Sequence, residues 1–324
     1  MLGCIADVFL PATHDVTCAG RSRAATHLER ELSTCSPRSR FRYSAERAVE
    51  SGSRARRGGI ERAASETVRV DAYLDRLDYD GPTAVTLETL VRLHRAHMFA
   101  VPFENLDIHL GVPIALSVPA LFEKIVTRRR GGYCYELNGL FAWLLAELGF
   151  KVTLHSGRVF SAGCLSAEFD HLVLNVMLPE RWVADVGFGE SSLVPLAVPS
   201  ECVEADGYFV VEDEGVWTMR RMVEGEHEPQ YVFSMIPRSL REFEDRNRFQ
   251  QTSPGSHFTK NAVCSIPTPS GRITVAGRRL IVTTGVHYVE REFEDGGQLR
   301  AVLEEDFGIA LTAAEVGRLV SSWH

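Results

Sequence analysis

Residues 130–136, Arg-Gly-Gly-Tyr-Cys-Tyr-Glu, place a cysteine at the point where a loop turns into a helix. Leucine and phenylalanine side chains then recur every three or four residues, the spacing of one buried helical face (Leu137, Leu140, Phe141, Leu144, Leu145, Leu148). Unpaired N–H groups at a helix N-terminus favour a thiolate. The two glycines allow a tight entry and leave space for a substrate. The stretch therefore predicts a reactive Cys134, although a lone buried cysteine is usually inert.

Upstream of this helix, the sequence predicts three shorter helices. The first begins near residue 68 and presents Val70, Tyr73, Leu74 and Leu77 on one face. Thr86 caps the second, which cannot continue through Pro102, and Ser117 caps the third. The Cys134 helix is the fourth, and it ends near Gly149.

After residue 151 the apolar pattern changes to period two, which predicts an antiparallel sheet or small barrel. A turn at Pro179-Glu180 separates two of its strands. A second hairpin and two further strands precede a helical tail. The predicted strands are 152–154, 158–160, 171–178, 182–188, 208–211, 216–222, 273–275 and 279–284.

A thiol nucleophile needs a base, and the base needs a group that orients it. His171 is the best of the eleven histidines because it opens an apolar strand. Asp185 lies within an apolar run, where an unpaired carboxylate is costly. An odd hairpin loop centred on Pro179 places Val173 opposite Asp185, with His171 diagonal to it on the same face. An even loop places His171 and Asp185 on opposite faces.

Cys134, His171 and Asp185 thus form a candidate nucleophile, base and orienter in chain order. Taken singly, His171 could be a satisfied core histidine and Asp185 a carboxylate bound to main-chain amides. We expect no metal site, because no second cysteine or histidine stands at ligand spacing. The chain also has neither of the glycine-rich motifs that bind nucleotides or dinucleotides.

The composition narrows the class of protein. The chain has 324 residues, and 45% of them are hydrophobic. Its net charge of −8 argues against nucleic-acid binding. No apolar run approaches the roughly 20 residues that span a bilayer. The N-terminus does not resemble a secretory signal. The seven cysteines of the chain are scattered and form no CxxC pair, which predicts a reducing, cytoplasmic location.

The chain divides into four predicted segments. Residues 1–66 are rich in Arg, Ser, Gly and Ala, and we expect a disordered or non-native leader without function there. A helical bundle with the nucleophile follows at 67–150. A β-barrel with His171 and Asp185 occupies 151–255, and an α/β lid occupies 256–324.

Four separated motifs resemble the arylamine N-acetyltransferase family from about residue 68 onward. RGGYCYELNGLF around Cys134 is similar to that family's RGG-x-C-x-E-x-N-x-L segment, and residues 101–106 resemble its PFEN motif. Residues 185–189 resemble the strand with the family's aspartate, and residues 251–259 with Cys264-Ser265 resemble a third-domain segment.

The resemblance implies an α+β, three-domain, cysteine-protease-like arrangement: N-terminal helical bundle, antiparallel β-barrel and C-terminal α/β lid. It implies acetyl-CoA as donor, an acetyl-cysteine intermediate and an arylamine or hydrazine acceptor. Cys134, His171 and Asp185 match the catalytic triad. Residues that match the acceptor-pocket walls are Phe103 and Phe188, and those that match coenzyme A contacts are Phe249 and Gly255.

One residue departs from the family pattern. Asp170 precedes the matching histidine, where the family often has threonine, and we expect its charge to influence acceptor preference. Three alternatives stay open: an amide synthase that uses another acyl thioester, a papain-like hydrolase or transglutaminase, and an inactive binding protein.

Overall fold

The computed structural model describes residues 68–161, 164–199, 206–285 and 287–321. The leader predicted at 1–66 lies outside these residues. No helix within the described ranges is long and apolar enough to cross a membrane. The helices are α1 Val70–Arg76, α2 Leu87–Ala100, α3 Leu106–Leu110, α4 Val118–Phe122, α5 Cys134–Glu147, α6 Glu244–Thr252, α7 His257–Lys260, α8 Gly296–Phe307 and α9 Ala313–Ser321.

The predicted N-terminal helices are all present. The Thr86 hydroxyl accepts a hydrogen bond from the Thr89 N–H, so α2 begins where the sequence predicts. Ser117 occupies the N-cap position of α4 but makes no capping side-chain bond, and Pro119 at the second helical position has no N–H to donate to it. A π-helical turn, Glu123–Thr127, extends α4 towards the Cys134 loop.

The strands of the described residues form two antiparallel sheets. The first has the order β6-β5-β4-β2-β9-β8-β7, with β3 paired to β2, and β6 approaches β7 so that the sheet nearly closes. Its strands are β2 Lys151–Ser161, β3 Cys164–Leu165, β4 His171–Met177, β5 Arg181–Val183, β6 Leu196–Ala197, β7 Tyr208–Asp213, β8 Val216–Val223 and β9 Glu226–Phe233.

The second sheet runs in the order β1-β10-β11-β12-β13 and packs on α8 and α9. Its strands are β1 Phe103–Glu104, β10 Val263–Thr268, β11 Gly271–Ala276, β12 Arg279–Thr284 and β13 His287–Glu292. Phe103 pairs with Ser265, so a residue from the helical region enters this sheet.

Two strand predictions need correction. The separate strands predicted at 152–154 and 158–160 are one strand, β2, because Gly157 pairs with both His171 and Phe233 and keeps the ladder continuous. The strand predicted for 182–188 ends at Val183. The Asp185 side chain accepts from the Gly187 N–H, a local bond that competes with strand pairing.

Candidate active site

Cys134 is the first residue of α5, as its sequence predicts, and it is buried. Its thiol donates a hydrogen bond to the main-chain oxygen of Asp170, with Sγ and O 3.9 Å apart. Asp170 immediately precedes His171, the first residue of β4. The start of α5 and the start of β4 therefore meet at the sulfur.

His171 and Asp185 form a direct contact, with Nε2 and Oδ2 2.8 Å apart. The hairpin that joins their strands pairs Asn175 with Val183 and Met177 with Arg181, which centres the loop on Pro179. This confirms the predicted odd loop. The same register brings the two side chains together although Asp185 lies beyond the end of β5.

The Asp185 carboxylate accepts four hydrogen bonds. Oδ1 receives Asn138 Nδ2 at 2.8 Å and the Gly187 N–H at 3.0 Å, and Oδ2 receives Tyr231 OH and His171 Nε2, each at 2.8 Å. Burial by itself raises the pKa of Asp185, but His171 and these donors outweigh it and bring the pKa to about 2. An ionised carboxylate only accepts, so Nε2 of His171 carries hydrogen and Nδ1 is left as the basic nitrogen.

The pKa of the Cys134 thiol differs from the expectation that the helix N-terminus favours a thiolate. Burial raises the pKa of the Cys134 thiol well above its ordinary value, and main-chain N–H groups at Leu172 and Tyr135 only partly oppose this effect. The helix N-terminus alone therefore does not produce a thiolate. Ionisation of the sulfur requires a base that accepts its proton, and His171 directly follows Asp170, whose main-chain oxygen contacts the sulfur.

Sequence reasoning missed two residues of this site. Asn138 donates to the main-chain oxygen of Leu172 at 2.7 Å and accepts from the Val186 N–H at 2.9 Å, in addition to its bond with Asp185. It stands one helical turn after Cys134, so helix periodicity could have found it. Tyr231 lies on β9, far along the chain, and no local pattern identifies it.

The predicted acceptor-wall residues lie at the site. The Phe188 ring packs edge-on to His171, with ring centroids 5.1 Å apart, and lies 4.9 Å from Tyr231. A Cβ added to Gly189 would lie 3.5 Å from the Phe103 ring. Phe103 and Phe188 therefore flank the same short segment beside the histidine.

The predicted coenzyme A residues are also close to each other. A Cβ on Gly255 would lie 3.7 Å from the Phe249 ring. The Arg246 guanidinium stacks on that ring, with Cζ 4.1 Å from its centroid, and its Nε donates to Asp170 Oδ1 at 2.7 Å. This region thus connects to the site, and its coenzyme A role stays a prediction.

A second charged network lies against the start of α5, and its members are all buried (Glu104, Asp107, Lys124, Arg130, Glu136). We call it the ion-pair cluster. Arg130 contacts Glu104 at 2.8 Å and Asp107 at 3.0 Å, and Lys124 contacts Glu136 at 2.8 Å. The cluster joins the residue 101–106 motif to the loop before Cys134.

The two glycines before the cysteine serve this packing. A Cβ on Gly131 would lie 2.0 Å from the Pro102 main-chain oxygen, and one on Gly132 would lie 2.7 Å from the Glu136 Cβ. We expected the space beside these glycines to hold a substrate, but atoms of Pro102 and Glu136 fill it. The chain enters α5 tightly, and the glycines are needed because the main chain and Glu136 approach them too closely for a side chain.

Known proteins are similar to this chain over most of its length. Residues 86–316 match a family model described as N-acetyltransferase. The chain is 38% identical over 250 residues to an arylamine N-acetyltransferase of Mycolicibacterium smegmatis, an alignment that covers 74% of this chain and 91% of the relative. This chain belongs to the arylamine N-acetyltransferase family.

Solved structures of the family share its fold. A Salmonella typhimurium arylamine N-acetyltransferase superposes with a TM-score of 0.74 at 30% identity, covering 78% of this chain and 98% of that one. A Mycobacterium marinum arylamine N-acetyltransferase, solved in complex with CoA, gives 0.72 at 34% identity, covering 78% and 98%. The α+β, cysteine-protease-like fold class is confirmed, and the chain is an acyltransferase of this family. The domain boundaries after residues 66, 150 and 255 stay predictions.

Proposed function

We propose that this chain transfers an acetyl group from acetyl-CoA to an arylamine or hydrazine through an acetyl-Cys134 intermediate. Two contacts carry the proposal: the hydrogen bond between His171 and Asp185, and the contact of Cys134, buried at a helix start, with Asp170, the residue before His171. His171 Nδ1 takes the thiol proton, and the sulfur attacks the acetyl carbonyl. Asp185 stabilises the resulting imidazolium.

The first half-reaction ends when the C–S bond to coenzyme A breaks and His171 returns its proton to the leaving thiolate. The amine then attacks acetyl-Cys134, loses a proton to His171 and leaves as the amide, and the sulfur recovers a proton. Main-chain N–H groups at the start of α5 would stabilise the oxyanion in both halves. One thioester replaces another in the first half, so the two acyl states are close in energy.

Phe103 and Phe188 would form the walls for the flat aryl ring of the acceptor, and Phe249 and Gly255 would contact coenzyme A. Aromatic packing beside His171 supports the first assignment. The described cysteines, Cys134, Cys164 and Cys264, are free thiols, which supports the predicted cytoplasmic location.

The test is mass spectrometry of the Cys134 peptide after incubation with acetyl-CoA and no amine. We expect one acetyl group on Cys134, released when an arylamine is added, and ping-pong kinetics. Cys134→Ala should abolish both, whereas Cys264→Ala, which changes another buried free cysteine, should leave acetylation intact.

Two outcomes would redirect the proposal. Continuous coenzyme A release without amine, beyond the one equivalent that acetylates Cys134, or amine-independent peptide cleavage would favour a hydrolase. A donor panel in which longer acyl thioesters react better than acetyl-CoA would favour an amide synthase or another acyltransferase.

A further inference from the structure

The turn that precedes His171 has an uncommon backbone conformation. Phe169 has φ +64°, in the left-handed region that bulky residues avoid at a cost of roughly 1–2 kcal/mol. Its N–H donates to Ser156 Oγ at 2.9 Å, and its carbonyl accepts from Tyr135 OH at 2.8 Å. Its ring packs edge-on to Phe243, with centroids 5.1 Å apart. Strained residues of this kind cluster at functional sites.

The side chain of the next residue is clamped from α6. Asp170 Oδ1 accepts from Arg246 Nε at 2.7 Å and from Gln250 Nε2 at 2.6 Å. Gln250 in turn accepts a hydrogen bond from Ser256 Oγ, and Arg246 stacks on Phe249. The Asp170 and Arg246 side chains are 13% and 21% exposed, so this ion pair is largely shielded from water.

The main chain of the same residue receives the nucleophile's hydrogen bond, through the Asp170 oxygen 3.9 Å from Cys134 Sγ. We propose that Asp170 is a positioning residue whose carboxylate, clamped by Arg246 and Gln250, holds the strained turn so that its main-chain oxygen orients the Cys134 thiol. The inference rests on the proposed role of Cys134. It assigns a function to a residue that the family pattern does not supply.

The charges around the sulfur give this clamp a measurable signature. The carboxylates of Asp170 and Asp185 both disfavour the thiolate, whereas the Arg246 guanidinium pairs with the first and His171 forms a hydrogen bond with the second. The neighbouring phenols of Tyr133 and Tyr135 are uncharged, since burial raises the pKa of each well above its ordinary value. Removing one partner of the clamp therefore changes the field at the sulfur in a known direction.

The experiment measures iodoacetamide alkylation of the Cys134 peptide against pH, together with steady-state acetyl transfer. In Asp170→Asn the amide oxygen still accepts from Gln250 but the charge is gone, so the alkylation midpoint should fall by roughly half a pH unit or more. In Arg246→Gln the carboxylate loses its counter-charge, so the midpoint should rise by a similar amount. The double variant should return close to the wild-type midpoint.

Asp170→Ala removes charge and clamp together. Its thiol should alkylate at lower pH than the wild-type thiol, while kcat falls about tenfold or more because the sulfur is misoriented. The matched controls are Glu168→Gln on the same turn and Arg248→Gln on the same helix, both of which carry exposed side chains and should leave the midpoint unchanged.

If Asp170 and Arg246 have a purely structural role, their substitution should lower the alkylation rate, the acetyl-transfer rate and the thermal midpoint of unfolding. The alkylation midpoints of the two variants would then not shift in opposite directions, and that result would overturn the inference. If Cys134 acetylates normally and neither partner moves the alkylation midpoint, the clamp is wrong and the proposed function stands. Failure of Cys134 to acetylate in the wild-type chain would remove the proposed function itself.

Discussion

Two buried networks of ionisable groups lie on different sides of the start of α5, and they use charge differently. The ion-pair cluster sets carboxylates against Lys124 and Arg130 in direct contacts of 2.8 to 3.1 Å. In the active site burial raises the pKa of the Cys134 thiol, and Asp185 is the carboxylate that directly bonds the base. The first network fixes the backbone, whereas the second can still transfer a proton.

The comparison teaches why both are needed at one helix start. A proton moves from sulfur to His171 only if the imidazolium is stabilised at a fixed position. Asn138 on α5 fixes the position of the stabilising carboxylate by donating a hydrogen bond to Asp185. The ion-pair cluster holds the loop that delivers α5 to this position. Substitutions on the two sides should therefore separate activity from stability.

The largest effect is expected for Asp185→Asn. Both Asp185 oxygens accept hydrogen bonds, whereas the Asn amide has one oxygen and one NH2 group. An NH2 group facing His171 would force Nε2 to accept and move the ring hydrogen to Nδ1, so kcat should fall by about 10⁴-fold. Steady-state acetyl transfer and acetylation of Cys134 measure this loss. Asp206→Asn, which changes a carboxylate that binds main-chain N–H groups in the same sheet region, should keep nearly full activity. A loss of only a few fold in Asp185→Asn would show that the carboxylate does not orient the base.

The converse prediction concerns the ion-pair cluster. Arg130→Met leaves Glu104 and Asp107 without their guanidinium partner, and removing one member of a buried pair costs about 3–5 kcal/mol of unfolding free energy. Urea denaturation measures the loss. The folded fraction should retain kcat within a few fold, because the cluster does not contact the reacting atoms.

Arg128→Met is the matched control. Its contact with Glu123 is 3.6 Å long and roughly half exposed, so its loss should change the unfolding free energy by about 1 kcal/mol or less. Equal destabilisation by the two substitutions would contradict the distinction between the buried cluster and the surface.

The residues of the active site were easier to predict from sequence than those of the ion-pair cluster. Helix periodicity and hairpin register are local patterns that place the former, and no local pattern places the latter. Helix periodicity placed Cys134, and hairpin register brought His171 to Asp185. Glu104 and Arg130 were quoted only within motifs, since nothing in their spacing reveals a buried contact. Tyr231 and the Asp170 clamp depend on pairing between distant strands and helices.

Strand boundaries show the same limit. The period-two pattern found β4 and the β7–β8 hairpin, but β9, β10 and β13 were missed. Polar residues dominate β9 and β13, and Pro229 and Pro267 interrupt the pattern of β9 and β10. Tertiary pairing overrides weak local preference in such strands.

Acidification should distinguish the uncharged from the charged parts of the core. Burial lowers the pKa of His94 to about 4, below its ordinary value of 6.5, and its ring lies next to Phe141. The unfolded chain therefore binds the extra proton first, so stability is present above pH 6.5 and is lost as the pH falls towards 4. A shift of this size corresponds to roughly 3 kcal/mol.

Urea denaturation at pH 7 and pH 5 measures the slope of the unfolding free energy against pH. His94→Gln should reduce it, because one titrating group is gone while His97, whose pKa is also lowered by burial, still titrates. The exposed His287→Gln on β13 should leave it unchanged. An unchanged slope in His94→Gln would assign the acid sensitivity to other groups.

The smallest effect should come from Tyr231→Phe, which tests how redundant the support of Asp185 is. The substitution removes one of four hydrogen bonds to the carboxylate and keeps the ring that packs on His171 and Phe188. A hydrogen bond to a charged group is worth about 1.5–3 kcal/mol, but Asn138, Gly187 and His171 still satisfy the carboxylate. We therefore expect kcat to fall about tenfold.

The KM for the acceptor should change little in Tyr231→Phe, since the aromatic wall is preserved. Tyr208→Phe is the control, because this buried tyrosine of the same sheet donates to the main-chain oxygen of Glu190 instead. A loss in Tyr231→Phe as large as that in Asp185→Asn would mean that the phenol, and not only the carboxylate, sets the position of His171. The active site would then depend on a single hydrogen bond, whereas the ion-pair cluster is held by both Lys124 and Arg130.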